Sequence, residues 1–100
     1  MLDKNQIIRK IEANRKDIKA FGVERIILIG SYVQGTAKNK SDIDFLVQFR
    51  KGRGLFDDYI HLRQFLQDLF RKEIDIGEEK LIREELRESI LGGKRPEAKI

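Results

Sequence analysis

Two aspartates alternate with apolar residues in the stretch Ser41-Asp42-Ile43-Asp44-Phe45-Leu46-Val47. Strand alternation puts Asp42 and Asp44 on one face and Ile43, Phe45 and Val47 on the other. Side chains two residues apart on a strand stand about 7 Å from each other. Acids so spaced at the beginning of a strand are badly placed for a core and well placed to hold a hard divalent cation through oxygen. Just upstream, the apolar run Ile26-Ile27-Leu28-Ile29 ends on Gly30-Ser31, and Gly35 closes the turn that follows. Gly30-Ser31 at a helix start offers backbone N–H groups and a hydroxyl to phosphate oxygens. Gly30 and Gly35 leave the backbone approachable at either end of that turn. Ser41 reads as the turn residue that presents Asp42.

These groups need elements to carry them. Residues 3–20 have helical periodicity, with Ile7, Ile11 and Ile18 on one stripe, Asp3 as the starting cap and Gly22 as the stop. A first strand is expected over 25–29, then a turn or two of helix from Ser31 to Gly35, then a second strand over 42–49. The basic loop Lys51-Gly52-Arg53-Gly54 leads to an amphipathic helix over 56–70, with Tyr59, Leu62, Phe65, Leu66 and Leu69 inward. A third strand over 72–76 sets Asp75 on the face opposite Ile74 and Ile76. A last helix over 78–91 would bury Ile82, Leu86 and Ile90 and stop at Gly92-Gly93. Residues 1–91 thus form one domain, and 92–100 read as a mobile or partner-dependent tail with only Ala98 and Ile100 to pack.

The connections dictate the topology. A short link between the first two strands favours an antiparallel pair, and a helix between the second and third favours a parallel crossover. A small mixed sheet with helices on one face follows, an α/β (α+β) arrangement. With the right register, Asp75 joins Asp42 and Asp44 on the open face. A two-metal clamp needs a carboxylate able to touch both ions, with others flanking it. Asp42 and Asp44 suit the shared role, and Asp75 suits the ion nearest an attacking group.

Composition narrows the classes. One hundred residues allow one domain with a modest core and no separate cofactor-binding domain. No apolar run approaches the roughly 20 residues of a membrane span, no signal-peptide pattern opens the chain, and a cytoplasmic location is the default. Cysteine is absent, which excludes disulfides and thiolate zinc sites within this sequence, and there is one histidine, His61, on the polar side of its helix. Lys and Arg number 21 against 17 Asp and Glu, a net charge of +4 spread along the chain, so nucleic acid is not expected as the primary partner.

Gly30-Ser31-Tyr32-Val33-Gln34-Gly35 followed by Ser41-Asp42-Ile43-Asp44 resembles the signature of the nucleotidyltransferase superfamily that includes DNA polymerase beta. The shortness, the Gly54-Leu55-Phe56-Asp57 helix entry and the strand Glu73-Ile74-Asp75-Ile76 resemble its minimal nucleotidyltransferase family, over about residues 5–91. The resemblance implies Mg²⁺-dependent transfer of a nucleoside monophosphate, usually AMP from ATP, to a hydroxyl. It implies that Asp42 and Asp44 are shared metal ligands, Asp75 the third carboxylate, and Ser31 the residue holding the triphosphate, with Gly30, Gly35 and Ser41 around the nucleotide. Many such proteins are antitoxins that adenylylate a tyrosine of a small helical toxin of the HEPN family, and a homo-oligomer is compatible with the family. The charged ending Gly92-Gly93-Lys94-Arg95-Pro96-Glu97-Ala98-Lys99-Ile100 departs from the apolar ending common there. Two other classes stay open: an antitoxin that works by occlusion alone, and a nucleic-acid accessory module resting on net charge.

Overall fold

A computed structural model describes residues 2–81 and 95–100. Helix α1 spans Lys4–Ala13 and α2 spans Arg15–Ala20. Asp3 starts α1 with a reciprocal cap: its carboxylate accepts from the Gln6 amide at 2.8 Å, and its own amide donates to Gln6 Oε1 at 3.0 Å. The single helix expected over 3–20 is divided at Asn14, whose φ of −110° and ψ of 21° leave the helical region. The Asn14 side chain donates back to the Lys10 carbonyl at 2.8 Å, satisfying an acceptor that the end of α1 would otherwise leave open. Ile7, Ile11 and Ile18 are all buried, as their stripe predicts.

Strand β1 covers Val23–Ile29, the short helix α3 covers Ser31–Gln34, and β2 covers Ile43–Phe49. Helix α4 runs Phe56–Phe70, and β3 runs Ile74–Glu78. A 3₁₀ turn over Glu79–Leu81 follows, and β4 is Glu97–Ala98. The sheet order is β3-β2-β1-β4; β1 pairs antiparallel with β2, and β2 pairs parallel with β3. Both orientations follow from connection length, as expected. All three of these strands differ from expectation at an end. β2 begins at Ile43, one residue after Asp42. β1 begins at Val23, where pairing with Phe49 extends the ladder. β3 is displaced to Ile74–Glu78, because Arg71 takes a left-handed conformation (φ 54°) and Gly77 and Glu78 pair with Leu46 and Val47.

One face of the sheet carries Ile26, Leu28, Ile43, Phe45, Val47, Ile74 and Ile76 into a core shared with the α1 and α2 isoleucines and with Leu62, Leu66 and Phe70 of α4. Tyr59, Phe65 and Leu69 lie half-buried at its margin. Ile27 and Leu46, paired across β1 and β2, are also buried but stand outside that cluster, on the face that carries Asp44. Arg53 ties the loop before α4 to the N-terminal helices: its guanidinium reaches both Asp58 oxygens at 2.8 Å and the Ala20 carbonyl at 2.9 Å.

The C-terminal end departs from expectation. Glu78 belongs to β3 instead of opening a helix. The rest of the expected helix, with Ile82, Leu86 and Ile90, lies outside the described residues. The segment read as a mobile tail supplies β4, which pairs with β1 through Ile26↔Ala98 and Ile27↔Glu97. Ala98 is buried, Arg25 Nε bonds Glu97 at 2.8 Å, and the Lys99 amide reaches Glu12 at 2.8 Å. The charged residues that argued for a solvated tail instead flank one small buried residue, because an edge strand needs only its inward side chain to be apolar.

Candidate active site

Register brings the acids together. Asp44 stands opposite Asp75 on β3 and opposite Ile29 on β1, one residue before Gly30. Asp42 lies just before β2 and is exposed, in contrast to its expected place within the strand. Burial raises the pKa of Asp44, and the negative charges of Asp75 and Asp42 raise it further. The charge of Asp44, half-buried beside two other acids, is costly without a cation.

Gly30 packs directly against this cluster. Its φ of 82° is a left-handed value, and a methyl group built there would overlap the Asp44 Oδ2 atom. Gly30 is therefore required twice, for the backbone angle and for the space that the carboxylate fills. It occupies the N-cap position of α3, so Ser31 is a half-buried first-turn residue next to the glycine that packs on Asp44. Gly35 caps α3 in a left-handed conformation (φ 78°), and its amide returns to the Ser31 carbonyl. The turn is closed again by the Thr36 amide on the same carbonyl at 3.0 Å.

The link from α3 to β2 is pinned from two sides. Ser41 Oγ accepts from the Lys38 amide at 2.8 Å, and the Ser41 amide donates to the Lys38 carbonyl at 2.9 Å. Lys72 Nζ donates to the Asn39 carbonyl at 2.5 Å. The Ser41 hydroxyl thus shapes the turn that delivers Asp42, which agrees with its sequence reading as a presenting residue. Among the described residues no set of three His, Cys, Asp or Glu side chains closes on a common point as it stands. The donor set is nevertheless all oxygen and mutually repulsive, the chemistry that a hard divalent cation such as Mg²⁺ relieves. Lys51 and Arg53 leave the far end of β2; Arg53 is committed to Asp58, and His61 is exposed on α4.

Sequence reasoning missed the polar side chains that brace these elements. They include Lys72 on the Asn39 carbonyl and Arg25 between Glu79 (3.0 Å) and Glu97 (2.8 Å). Their partners are far away in the chain, so no local pattern marks them.

A turn built on Gly30-Ser31, leading into an acidic strand paired in parallel with a second acid-bearing strand, defines a nucleotidyltransferase, and the chain belongs to that family: the Nucleotidyltransferase domain matches residues 7–96. It is 36% identical over 77 residues to the protein adenylyltransferase MntA of Thermococcus cleftensis, covering 76% of this chain and 77% of that one. A solved minimal nucleotidyltransferase superposes with a TM-score of 0.75 at 32% identity, covering 90% of this chain and 91% of the other. A toxin–antitoxin crystal structure with AMP-PNP is similar at 28% identity and a TM-score of 0.55, covering 82% of this chain and 61% of that one. Among the described residues, no helix is long and apolar enough to cross a membrane.

Proposed function

We propose that this chain is the antitoxin of a toxin–antitoxin pair and acts by moving AMP from ATP to a tyrosine hydroxyl of a helical, HEPN-type toxin. The observation that carries this reading is the row Asp44–Asp75 on neighbouring strands with Gly30 against it. The similarity to a protein adenylyltransferase and to a chain of a toxin–antitoxin structure with AMP-PNP supports the nucleotide and the partner.

Asp42 and Asp44 would hold Mg²⁺ in common, with Asp75 completing a second ion's ligands. When bound, Mg²⁺ offsets the charge that builds on the transferred phosphoryl and on pyrophosphate. Ser31 Oγ and the first amides of α3 bind the triphosphate, and Gly35 keeps the far end of the turn clear. Asp75 orients the acceptor hydroxyl and takes its proton as the hydroxyl oxygen bonds the α-phosphorus. The bond to the bridging oxygen breaks, and pyrophosphate leaves with that electron pair. The test is incubation with labelled ATP, Mg²⁺ and the partner toxin. Label on a toxin tyrosine, lost in the double variant Asp42→Asn/Asp44→Asn, is expected; absence of transfer from wild type would refute the reading.

One observation favours a second reading, in which binding alone silences the toxin. Leu55 and Phe56 are 74% and 76% exposed, and Ile60 lies one turn along the same helix. Exposed apolar side chains so grouped suit protein contact. If the double aspartate variant still protects cells at equal abundance, occlusion suffices.

A further inference from the structure

Among the described residues β3 is an edge strand, with β2 as its neighbour. The Glu73 carbonyl faces inward and accepts from the Ile43 amide at 3.1 Å. Carbonyls alternate in direction along a strand, so those of Ile74 and Ile76 face away from β2. Both are taken by side chains of α4: Arg63 Nε donates to Ile74 O at 3.0 Å, and Tyr59 Oη donates to Ile76 O at 3.3 Å. One turn further along, Gln67 Nε2 reaches Glu73 Oε2 at 3.2 Å, and Arg63 Nη2 reaches the same oxygen at 3.3 Å. Positions 59, 63 and 67 form a single i, i+4 row on the helix. Their acceptors fall at 76, 74 and 73 in the reverse order, as they must where a helix runs back along the strand it precedes.

Asp75 lies between the two capped carbonyls. No side chain among the described residues hydrogen-bonds its carboxylate, so its place beside Asp44 is set by the strand on which it stands. We propose that Tyr59, Arg63 and Gln67 are positioning residues for Asp75, holding the outer edge of β3 so that this carboxylate stays in register with Asp44. The inference rests on Asp75 acting on the acceptor hydroxyl, as proposed above. Asp42, Asp44 and Ser31 stand on other elements, so the loss of this row should impair the transfer step and spare ATP binding.

The test has two arms. In metal-free protein, amide hydrogen exchange compares β3 with the β1–β2 ladder. Arg63→Ala should speed exchange at the inward-facing amides of Asp75 and Gly77 about tenfold while Ile27 and Leu46 keep their protection. With labelled ATP, Mg²⁺ and the toxin that accepts label from wild type, kcat should fall about 10- to 100-fold with KM for ATP unchanged. Arg63→Lys, which can still reach the Ile74 carbonyl, should recover part of the rate. Tyr59→Phe, which removes one oxygen, should show a smaller loss of the same kind. A merely structural role would lower the melting temperature without this division between kcat and KM. Unchanged kcat in folded Arg63→Ala, or a parallel loss of ATP affinity, would overturn the inference while leaving the proposed function standing. Should Arg63→Ala not fold, wild-type kcat in both Arg63→Lys and Tyr59→Phe would overturn it equally. No transfer by wild type overturns the proposed function itself.

Discussion

Gly30 and the Asp44 carboxylate are in direct contact: any Cβ on Gly30 would overlap Asp44 Oδ2, and the glycine φ of 82° is one that other residues rarely adopt. Gly30→Ala therefore combines backbone strain of roughly 1–3 kcal/mol with displacement of the central acid. A lower midpoint in urea and a loss of transfer larger than that of Gly35→Ala are expected. Gly35 has open space where its Cβ would stand, so its substitution brings strain alone. Equal activity losses in the two variants would contradict the packing argument.

Repulsion among the acids should appear as a pH and metal dependence. The pKa of Asp44 is raised first by burial, then by Asp75 and Asp42. A group whose folded pKa lies above its unfolded value of 3.8 contributes stability below that value and loses it as pH rises through the folded pKa. From this group, metal-free protein should melt lower at about pH 7 than at about pH 4, and Asp44→Asn should flatten that limb. Mn²⁺ with ATP should raise the melting temperature of wild type at neutral pH by mass action, and not that of Asp44→Ala. An identical ligand response in both would remove Asp44 from the metal site.

Asp58 behaves in the opposite sense. The Arg53 guanidinium, and then the Gly54 amide, hold its carboxyl down at about 2. Its contribution is present above the unfolded value of 3.8 and lost as pH falls toward 2. Asp58→Asn should melt below wild type at neutral pH, and the two curves should converge near the acid end. Parallel curves across that window would show that the Arg53–Asp58 staple adds nothing.

The C-terminal strand offers a test of its own. Ala98 is 2% exposed where β4 pairs with Ile26. Ala98→Asp would bury a carboxylate without a partner and should cost at least about 2 kcal/mol in chemical denaturation. Lys99→Asp, at an exposed neighbour, should change little by comparison. Equal midpoints for wild type and Ala98→Asp would mean that β4 is dispensable to the fold.

Much of this arrangement follows from the chain read locally. Helix α4 starts and stops where its apolar spacing says, and the Ile7, Ile11 and Ile18 stripe is buried as its period requires. The orientations of β1, β2 and β3 follow from connection length. Such features depend on residues within a few positions of one another, where side-chain period and chain stiffness act directly. The break at Asn14 was less legible, because a capping side chain outweighed an unbroken apolar stripe. Asp42, Asp44 and the Gly30-Ser31 turn were visible as types and spacing. That Asp75 joins them was legible only on condition of register; its pairing directly opposite Asp44, the packing of Gly30 against that acid and the grip of α4 on the outer edge of β3 were not. Nor was the pairing of β4 with β1, which joins positions 26 and 98. By itself the sequence determined which residues could do the chemistry and which elements carry them. Only the tertiary structure decided their register and their bracing, because those contacts join residues far apart in the chain whose pairing no local periodicity encodes.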